Sequence, residues 1–324
     1  MPRPKTCEWW PPWTTSSPTW PPSPRSLRQG CRGGVGAAAG QRMDAVEPAR
    51  LVFWSRLEDR APATDCPGAL RGRLQATRFQ SSHCCATIRP GGVAYMRILQ
   101  TGDWHLGRKL QGIDLLEDQH FVLEQVLDVA KEARPDIVLI AGDVYDRADP
   151  PPAAVELLSE VLSRLVLDMH LRVLILAGNH DSPERLGFCA DILKRQGIVV
   201  AAEAGAEPLA LKDGGVQVFA LPYLDPELVA EGLGREGVRG QQAAMEAVLA
   251  GVRERMDPSQ RTVLAGHAFV QGGTASESER PLVVGGSGAV DASLFDLFDY
   301  VAMGHLHRPQ VVASRVYYSG SLLS

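Results

Sequence analysis

Several features that mark other classes of protein are missing from this chain of 324 residues. No stretch approaches the ~18 consecutive apolar residues of a membrane span, and no Cys-x-x-Cys pair suggests a zinc site. Neither the phosphate-binding pattern GxxxxGKS/T nor the nucleophile pattern GxSxG occurs, so the sequence favours neither a P-loop nucleotide hydrolase nor a serine hydrolase. Apolar residues make up 45% of the chain, which is typical of a globular protein.

Cysteine is scarce after residue 95, where Cys189 stands alone in a helical pattern that predicts a small core residue. The part before Met96 is different, with 13 basic and 6 acidic residues, 5 of the 6 Trp, 5 of the 6 Cys and 12 of the 23 Pro. From Met96 onward the chain has 20 basic and 32 acidic residues. We therefore expect residues 1–95 to be a disordered or non-native upstream extension, and residues 96–324 to be the organised domain. A genuine basic tail that neutralises nucleic-acid phosphates is the alternative for residues 1–95.

Short apolar runs that predict strands alternate with amphipathic runs that predict helices throughout the organised part. The predicted strands are 97–101, 136–141, 172–177, 217–221, 262–265, 300–303 and 316–318, and the predicted helices are 115–134, 153–166, 184–196 and 241–256. This alternation predicts an α/β layered domain. Residues 271–292 are rich in Gly and Ser and predict a long loop.

Five of the apolar runs end in a glycine that is followed at once by a potential metal ligand. They read Thr101-Gly102-Asp103, Ala141-Gly142-Asp143, Ala177-Gly178-Asn179, Ala265-Gly266-His267 and Met303-Gly304-His305. Glycine permits a sharp turn at the end of a strand because no Cβ restricts φ. Open α/β sheets place their sites at the carboxyl ends of the strands, so we expect these five polar side chains to converge.

Two more histidines extend the pattern. His105 follows Asp103 and His307 follows His305 at a spacing of two, which places both members of a pair on one face of an extended chain. Imidazoles, carboxylates and an amide oxygen suit Mn²⁺, Fe²⁺ or Zn²⁺. Seven such ligands exceed the needs of one tetrahedral ion and fit two ions with a carboxylate between them, which predicts phosphoester hydrolysis. Any one of these residues alone is more often structural, and only the fivefold repetition favours metal binding.

Three neighbouring features are ambiguous. Asp146 and Arg147 either orient ligands and contact phosphate or lie in solvent at the start of a helix. Arg308, just after the last motif, is similarly ambiguous. Trp104 either stacks on a nucleic-acid base or packs beneath its loop, and packing is the favoured alternative.

In this order, the motifs D-x-H, G-D-x-x-D, G-N-H-D, G-H and G-H-x-H resemble those of the calcineurin-like metallophosphoesterases. Segments 96–108, 142–147, 278–281 and 298–310 further resemble the SbcD-type, Mre-like DNA repair exonuclease subunits of that superfamily. The resemblance runs from Met96 to the last residue.

The resemblance implies a four-layer α-β-β-α sandwich that holds two divalent ions, most often Mn²⁺. Asp103, His105 and His307 would hold the first ion, Asn179, His267 and His305 would hold the second, and Asp143 would bridge them. His180 would be the catalytic residue that contacts the scissile phosphate. Asp146, Arg147 and Asp181 would support the ligands or contact phosphate.

The activity implied is that of a 3′–5′ double-strand exonuclease and single-strand endonuclease. Such enzymes act on DNA ends and hairpins with an SbcC-type SMC-like ATPase, as SbcD dimers in the nucleoid-associated cytoplasm, in DNA repair and recombination. This chain has an extension before Met96 without a counterpart in the family and stops where the family continues, so we expect a carboxyl-terminally incomplete domain. Because the net charge of residues 96–324 is −12, DNA would have to meet a local basic patch.

Two other functions compete with this interpretation. One keeps the chemistry and changes the substrate to a phosphoprotein or a small phosphodiester. The other is a non-catalytic fragment whose metals only stabilise the fold.

Overall fold

A computed structural model describes residues 55–56, 85–88, 96–203, 209–213, 215–235, 237–276 and 288–323. In chain order its strands are β1 (Ser55–Arg56), β2 (Cys85–Ile88), β3 (Met96–Thr101), β4 (Lys109–Leu110), β5 (Ile113–Asp114), β6 (Ile137–Ala141), β7 (Arg172–Leu176), β8 (Ile198–Ala201), β9 (Leu209–Asp213), β10 (Val216–Ala220), β11 (Arg261–His267), β12 (Phe269–Val270), β13 (Ala289–Val290), β14 (Tyr300–Gly304), β15 (Gln310–Val312) and β16 (Val316–Tyr318). The α-helices are α1 (Leu116–Ala133), α2 (Pro152–Ser163), α3 (Pro183–Leu186), α4 (Ala190–Arg195), α5 (Pro226–Leu233) and α6 (Gly240–Arg255).

Two six-stranded sheets form the centre of the fold. The first has the order β1-β2-β3-β6-β7-β8, and the second has the order β15-β16-β14-β11-β10-β9. Strands β3, β6, β7 and β8 are parallel to one another, as are β10, β11, β14 and β16, while β9 and β15 are antiparallel edge strands. In each sheet the carboxyl ends of the parallel strands therefore lie along one edge.

Three apolar layers hold the sheets and helices together. Residues of α1 and α2, such as Leu123 and Leu158, pack on one face of the first sheet. The other face of the first sheet meets the second sheet through a shared core that includes Ile98 and Val218. Helices α5 and α6 cover the outer face of the second sheet, where Val248 is buried. These layers confirm the predicted four-layer α-β-β-α sandwich.

Local sequence explains how the helices begin and end. Helix α1 has Glu117 and Asp118 in its first turn and Lys131 in its last, which complements the helix dipole. Helix α2 has Pro152 at its start, where a missing N–H is harmless, and it runs on into a π-helical turn, Arg164–Asp168. Helix α5 begins at Asp225, whose carboxylate accepts hydrogen bonds from two backbone amides of the first turn.

All seven predicted strands are present, with ends shifted by a few residues. The apolar pattern did not predict the short helix α5, nor the strands β4, β5, β8, β9, β12, β13 and β15. The predicted helix 184–196 is broken into α3 and α4, because the chain turns at Gly187 and Cys189 has a left-handed φ of 60°. Cys189 is exposed, so its assignment to the core is wrong.

The predicted extension, residues 1–95, contributes two described strands, β1 and β2, which the sequence analysis did not predict. Strand β2 pairs antiparallel with β3, and β1 pairs parallel with β2. The rest of that segment lies outside the described residues, as do residues 277–287 of the loop predicted at 271–292. Within the described part of the chain, no helix is both long enough and apolar enough to cross a bilayer.

Candidate metal centre

The predicted ligands lie where strands of both sheets end. Asp103 and His105 follow β3, Asp143 follows β6, and the turn 179–181 follows β7 in the first sheet. In the second sheet His267 is the last residue of β11, and His305 and His307 follow β14. The five segments meet at the edge that the two sheets share, as the sequence analysis predicted.

The glycines before the ligands serve mainly to let two chain segments approach closely. A Cβ on Gly304 would lie 1.7 Å from the carbonyl oxygen of Ala141, and one on Gly178 would lie 2.1 Å from Oδ1 of Asp143. The expected reason, freedom of φ, applies among the five motif glycines only to Gly142, with a φ of 84°.

Left-handed backbone is found instead at ligands. Asp103, His105, Asp143 and His305 have φ values of 51°, 46°, 48° and 102°. Such conformations cost free energy in residues with a Cβ and persist only where the surrounding structure enforces them.

One group of donor atoms belongs to Asp103, His105 and His307. Nε2 of His105 lies 2.9 Å from Nε2 of His307. Each of the three residues offers a ligand atom within 4.8 Å of the others, and all three side chains are buried. Two ring nitrogens that face each other at this distance, with a carboxylate beside them, suit a cation between them.

A second group belongs to Asn179, His267 and His305. Oδ1 of Asn179 lies 3.1 Å from Nε2 of His267 and 3.0 Å from Nδ1 of His305. The two ring nitrogens are 3.3 Å apart. Nδ1 of His267 donates to the carbonyl of Ala141 at 2.8 Å, which leaves Nε2 of the neutral ring as a ligand atom.

Asp143 lies between the two groups. Its Oδ2 is 3.6 Å from Nε2 of His105 and 3.5 Å from Nε2 of His267. Its Oδ1 accepts a hydrogen bond of 2.9 Å from the backbone amide of His180. One carboxylate thus faces both groups of nitrogen ligands.

The protonation of the site suits a cation. Burial lowers the pKa of His105 and of His305 to about 3 and that of His307 to about 4, so these rings are neutral and keep their lone pairs. Burial also opposes charge on His267, but the adjacent carboxylate of Asp143 raises the pKa of His267 to about 9. His267 in turn holds the pKa of Asp143 below its usual value, although burial acts in the opposite direction. Imidazole nitrogens beside an ionised carboxylate form a donor set that fits divalent metals.

His180 lies beside the donor groups. Its Nδ1 donates to the carbonyl of Asp146 at 2.9 Å, and its Nε2 is 4.0 Å from Oδ2 of Asp143. The ring is half-buried and packs edge-on against His105, with ring centroids 4.8 Å apart. The carbonyl of Asp146 therefore directs Nε2 of His180 towards the site.

Of the three residues predicted to support the ligands or contact phosphate, Asp181 supports the loops that carry the ligands. Asp181 is buried and accepts hydrogen bonds from the amides of Gly178, Val144 and Tyr145, so it ties the turn after β7 to the turn after β6. Burial, followed by the charge of Asp143, raises the pKa of Asp181 to about 6.

Asp146 and Arg147 take different positions. The carboxylate of Asp146 is buried, 3.8 Å from Nδ1 of His105, while Arg147 is exposed at the surface.

Trp104 is buried and donates to Oγ1 of Thr101 at 2.8 Å, which confirms packing rather than base stacking.

Sequence analysis missed Gln119, a buried residue of α1. Its amide donates to the carbonyls of Trp104 and His105 at 3.1 and 2.7 Å and accepts from the amide of Gly107 at 3.0 Å. These bonds fix the loop that carries His105. The signal was a glutamine within the apolar stripe of the helix.

Residues 96–309 match the family model of the calcineurin-like phosphoesterases. The chain is 37% identical over 229 residues to the SbcD subunit of the SbcCD nuclease from Staphylococcus saprophyticus subsp. saprophyticus, covering 70% of this chain and 61% of that protein. The chain thus spans less than two thirds of that relative. A solved structure, TT1561 of Thermus thermophilus, is 15% identical with a TM-score of 0.43, covering 69% of this chain and 89% of that one.

Proposed function

Since this chain belongs to the calcineurin-like phosphoesterase family, we propose that it is a metal-dependent nuclease subunit that hydrolyses phosphodiester bonds in DNA. The observation that carries the proposal is the position of Asp143, whose Oδ2 lies between the buried rings of His105 and His267. The 37% identity to a protein named as a subunit of the SbcCD nuclease supports DNA as the substrate.

The ligands divide between two ions in this proposal. Asp103, His105 and His307 would hold the first ion, Asn179, His267 and His305 would hold the second, and Asp143 would contact both. The short distances within each group support this division. The mixture of imidazole nitrogens with carboxylate and amide oxygens is compatible with Mn²⁺.

A bound pair of divalent ions supplies a nucleophile at neutral pH and neutralises charge on the phosphoryl group. The residues of the chain supply orientation and proton transfer. Asp143 keeps its negative charge in the buried site, because its pKa is lowered. His180, held by the carbonyl of Asp146, presents Nε2 to the scissile phosphate and protonates or hydrogen-bonds the leaving oxygen.

Basic residues next to the ligands supply contacts for the DNA backbone. Arg108, Arg147 and Arg308 each lie within three residues of His105, Asp146 or His307, and Arg147 and Arg308 are exposed. Lys109, which follows Arg108 in the chain, is exposed as well. Such a local patch attracts phosphates although residues 96–324 carry a net charge of −12.

The name of the same relative describes one subunit of an SbcCD nuclease, which supports DNA and an SbcC-type subunit as partners. The proposal further takes that subunit to be an SMC-like ATPase and includes a second copy of the chain.

The proposed function is tested with the full chain, Mn²⁺ and a panel of substrates. The panel consists of blunt duplex, hairpin and single-stranded DNA, a cyclic nucleotide and a phosphopeptide. We expect cleavage of DNA that stops when a chelator is added. Cleavage of only the cyclic nucleotide or the phosphopeptide would contradict the assignment to DNA, and cleavage of no substrate would favour a non-catalytic fragment.

A further inference from the structure

A glutamine lies within the apolar layer between the two sheets. Along β3, Met96 and Ile98 face the second sheet and belong to the shared core. Gln100 is the next residue of this alternating series, and its side chain is completely buried. A polar side chain in such a position is costly unless its hydrogen bonds are made.

The side chain of Gln100 is bonded on both its nitrogen and its oxygen. Nε2 donates to the carbonyl of Met303 at 3.2 Å and to the carbonyl of Tyr317 at 2.8 Å. Oε1 accepts from the hydroxyl of Tyr300 at 2.6 Å. The ring of Tyr300 stacks on the ring of Tyr317, with centroids 4.7 Å apart and an angle of 19° between the ring planes. One side chain of the first sheet thereby contacts both β14 and β16 of the second.

These bonds lie immediately beneath the metal centre. Gln100 is three residues before Asp103, and Met303 is two residues before His305. At the ends of these two strands, the amide of His305 donates to Oδ1 of Asp103 at 2.9 Å. The two sheets are therefore joined twice in succession, first below the site by Gln100 and then within it by Asp103.

Apolar contact alone fixes the relative position of two sheets poorly. Hydrophobic contact is not directional, whereas a hydrogen bond weakens steeply when the angle at its hydrogen falls below ~120°. A functional site needs its groups held within ~0.5 Å of the productive geometry. Ligands for one pair of ions come here from two separate sheets, so the positions of the sheets determine the distance between the ligand groups.

We infer that Gln100 is a positioning residue that fixes the second sheet against the first and so sets the spacing of the two metal sites. The inference rests on the proposed function, because it concerns the ion pair on which that function depends. Gln100 contacts neither an ion nor the substrate and acts through the backbone of Met303.

The variant that tests this inference replaces both Gln100 and Tyr300 by apolar residues. Gln100→Met alone leaves the buried hydroxyl of Tyr300 without its acceptor, which destabilises the fold for an unrelated reason. Gln100→Met combined with Tyr300→Phe replaces the bonded pair by apolar groups of similar size. Tyr300→Phe alone keeps both hydrogen bonds that Nε2 of Gln100 donates to the backbone of the second sheet.

Gln217 provides a matched control. It is a fully buried glutamine on β10, and its amide donates to Oγ1 of Thr262 and to the carbonyl of Asp257, both at 2.8 Å. Those bonds lie near the amino end of the strand, away from the ligands. Gln217→Leu therefore removes a buried amide without affecting the link between the sheets.

Mn²⁺ binding to the full chain is measured by equilibrium dialysis, and the exchange coupling of a Mn²⁺ pair by electron paramagnetic resonance. For the double variant we expect a circular dichroism spectrum like that of the unchanged chain. We also expect affinity for the second Mn²⁺ that is about tenfold or more weaker, and loss of the coupled signal. Tyr300→Phe and Gln217→Leu should keep both properties, and Gln100→Met alone should lose the coupled signal as the double variant does.

The inference is overturned if the double variant binds two Mn²⁺ ions with unchanged affinity and coupling, or if Gln217→Leu weakens binding equally. An unchanged chain that binds fewer than two ions contradicts the inference and the proposed function together. An unchanged chain that binds a coupled pair but cleaves no phosphodiester contradicts only the proposed function, because the metal measurements still decide the role of Gln100.

Discussion

The backbone amide of His305 donates a hydrogen bond of 2.9 Å to Oδ1 of Asp103, although the two residues are 202 positions apart in the chain. Asp103 follows β3 of the first sheet, and His305 follows β14 of the second. The bond joins the two halves of the donor cluster directly. A change that shifts either sheet is therefore expected to alter the distances between ligand atoms in both halves.

Asp143→Asn keeps the size of the side chain and removes the negative charge between His105 and His267. We expect fewer than two Mn²⁺ ions per chain and a loss of phosphodiester hydrolysis of about 10²-fold or more, because both ions lose a shared ligand. Metal content by mass spectrometry and initial rates measure the two effects. Asp149→Asn, at an exposed carboxylate paired with Arg185, is the control. Normal metal content in Asp143→Asn would contradict the bridging role.

His180→Ala should separate catalysis from metal binding. The ring contacts the ligands but is assigned to neither ion, so we expect nearly unchanged Mn²⁺ content and a rate about 10²- to 10⁴-fold lower. His170→Ala, at an exposed histidine in the turn before β7, should change neither quantity. If His180→Ala keeps its activity, the histidine does not act on the leaving oxygen.

Gly304→Ala places a methyl group against the carbonyl of Ala141. We expect a loss of about 1–3 kcal/mol in the free energy of unfolding, together with weaker metal binding, because the backbones of β6 and β14 must separate. Urea unfolding in the presence of a chelator measures the first effect. Gly251→Ala, in α6 with no heavy atom within 4 Å of the added carbon, should instead stabilise the chain by up to ~1 kcal/mol. Equal stability of the two variants would show that the close approach is unimportant.

The metal-free chain should lose stability as the pH falls from 7 to 5. The pKa values of His105, His305 and His307 are lowered to about 3 or 4 in the folded state, so the unfolded chain binds protons there that the folded chain does not. His267 and Asp181, whose pKa values are raised, oppose this trend. The unfolded state then binds about one to two more protons near pH 6, and stability rises with pH. Urea unfolding at pH 5, 6 and 7 with a chelator checks the direction; constant stability would contradict it.

Much of the site was predictable because its residues lie in short segments of sequence that directly follow predicted strands. The repeated glycine and polar residue after an apolar run indicates a turn at the edge of a sheet, and the parallel order of the strands brings those edges together. Asp143 and His267 could thus be placed in one site before any distance was known.

Other features depend on contacts between distant residues and could not be predicted. The need for glycine at position 304 comes from the carbonyl of Ala141 in the other sheet. Gln100 and Gln119 stand out in the sequence only as polar residues within apolar stripes, and their partners follow from the tertiary fold. The break before Cys189 was missed because the apolar pattern of 184–196 continues across it.

Diffraction from crystals grown with Mn²⁺, recorded at the manganese absorption edge, tests the central claim most directly. The account predicts two anomalous peaks, one among Asp103, His105 and His307 and the other among Asn179, His267 and His305, with Asp143 in contact with both. A single peak, or a pair of peaks of which Asp143 contacts only one, would contradict the proposed two-metal centre.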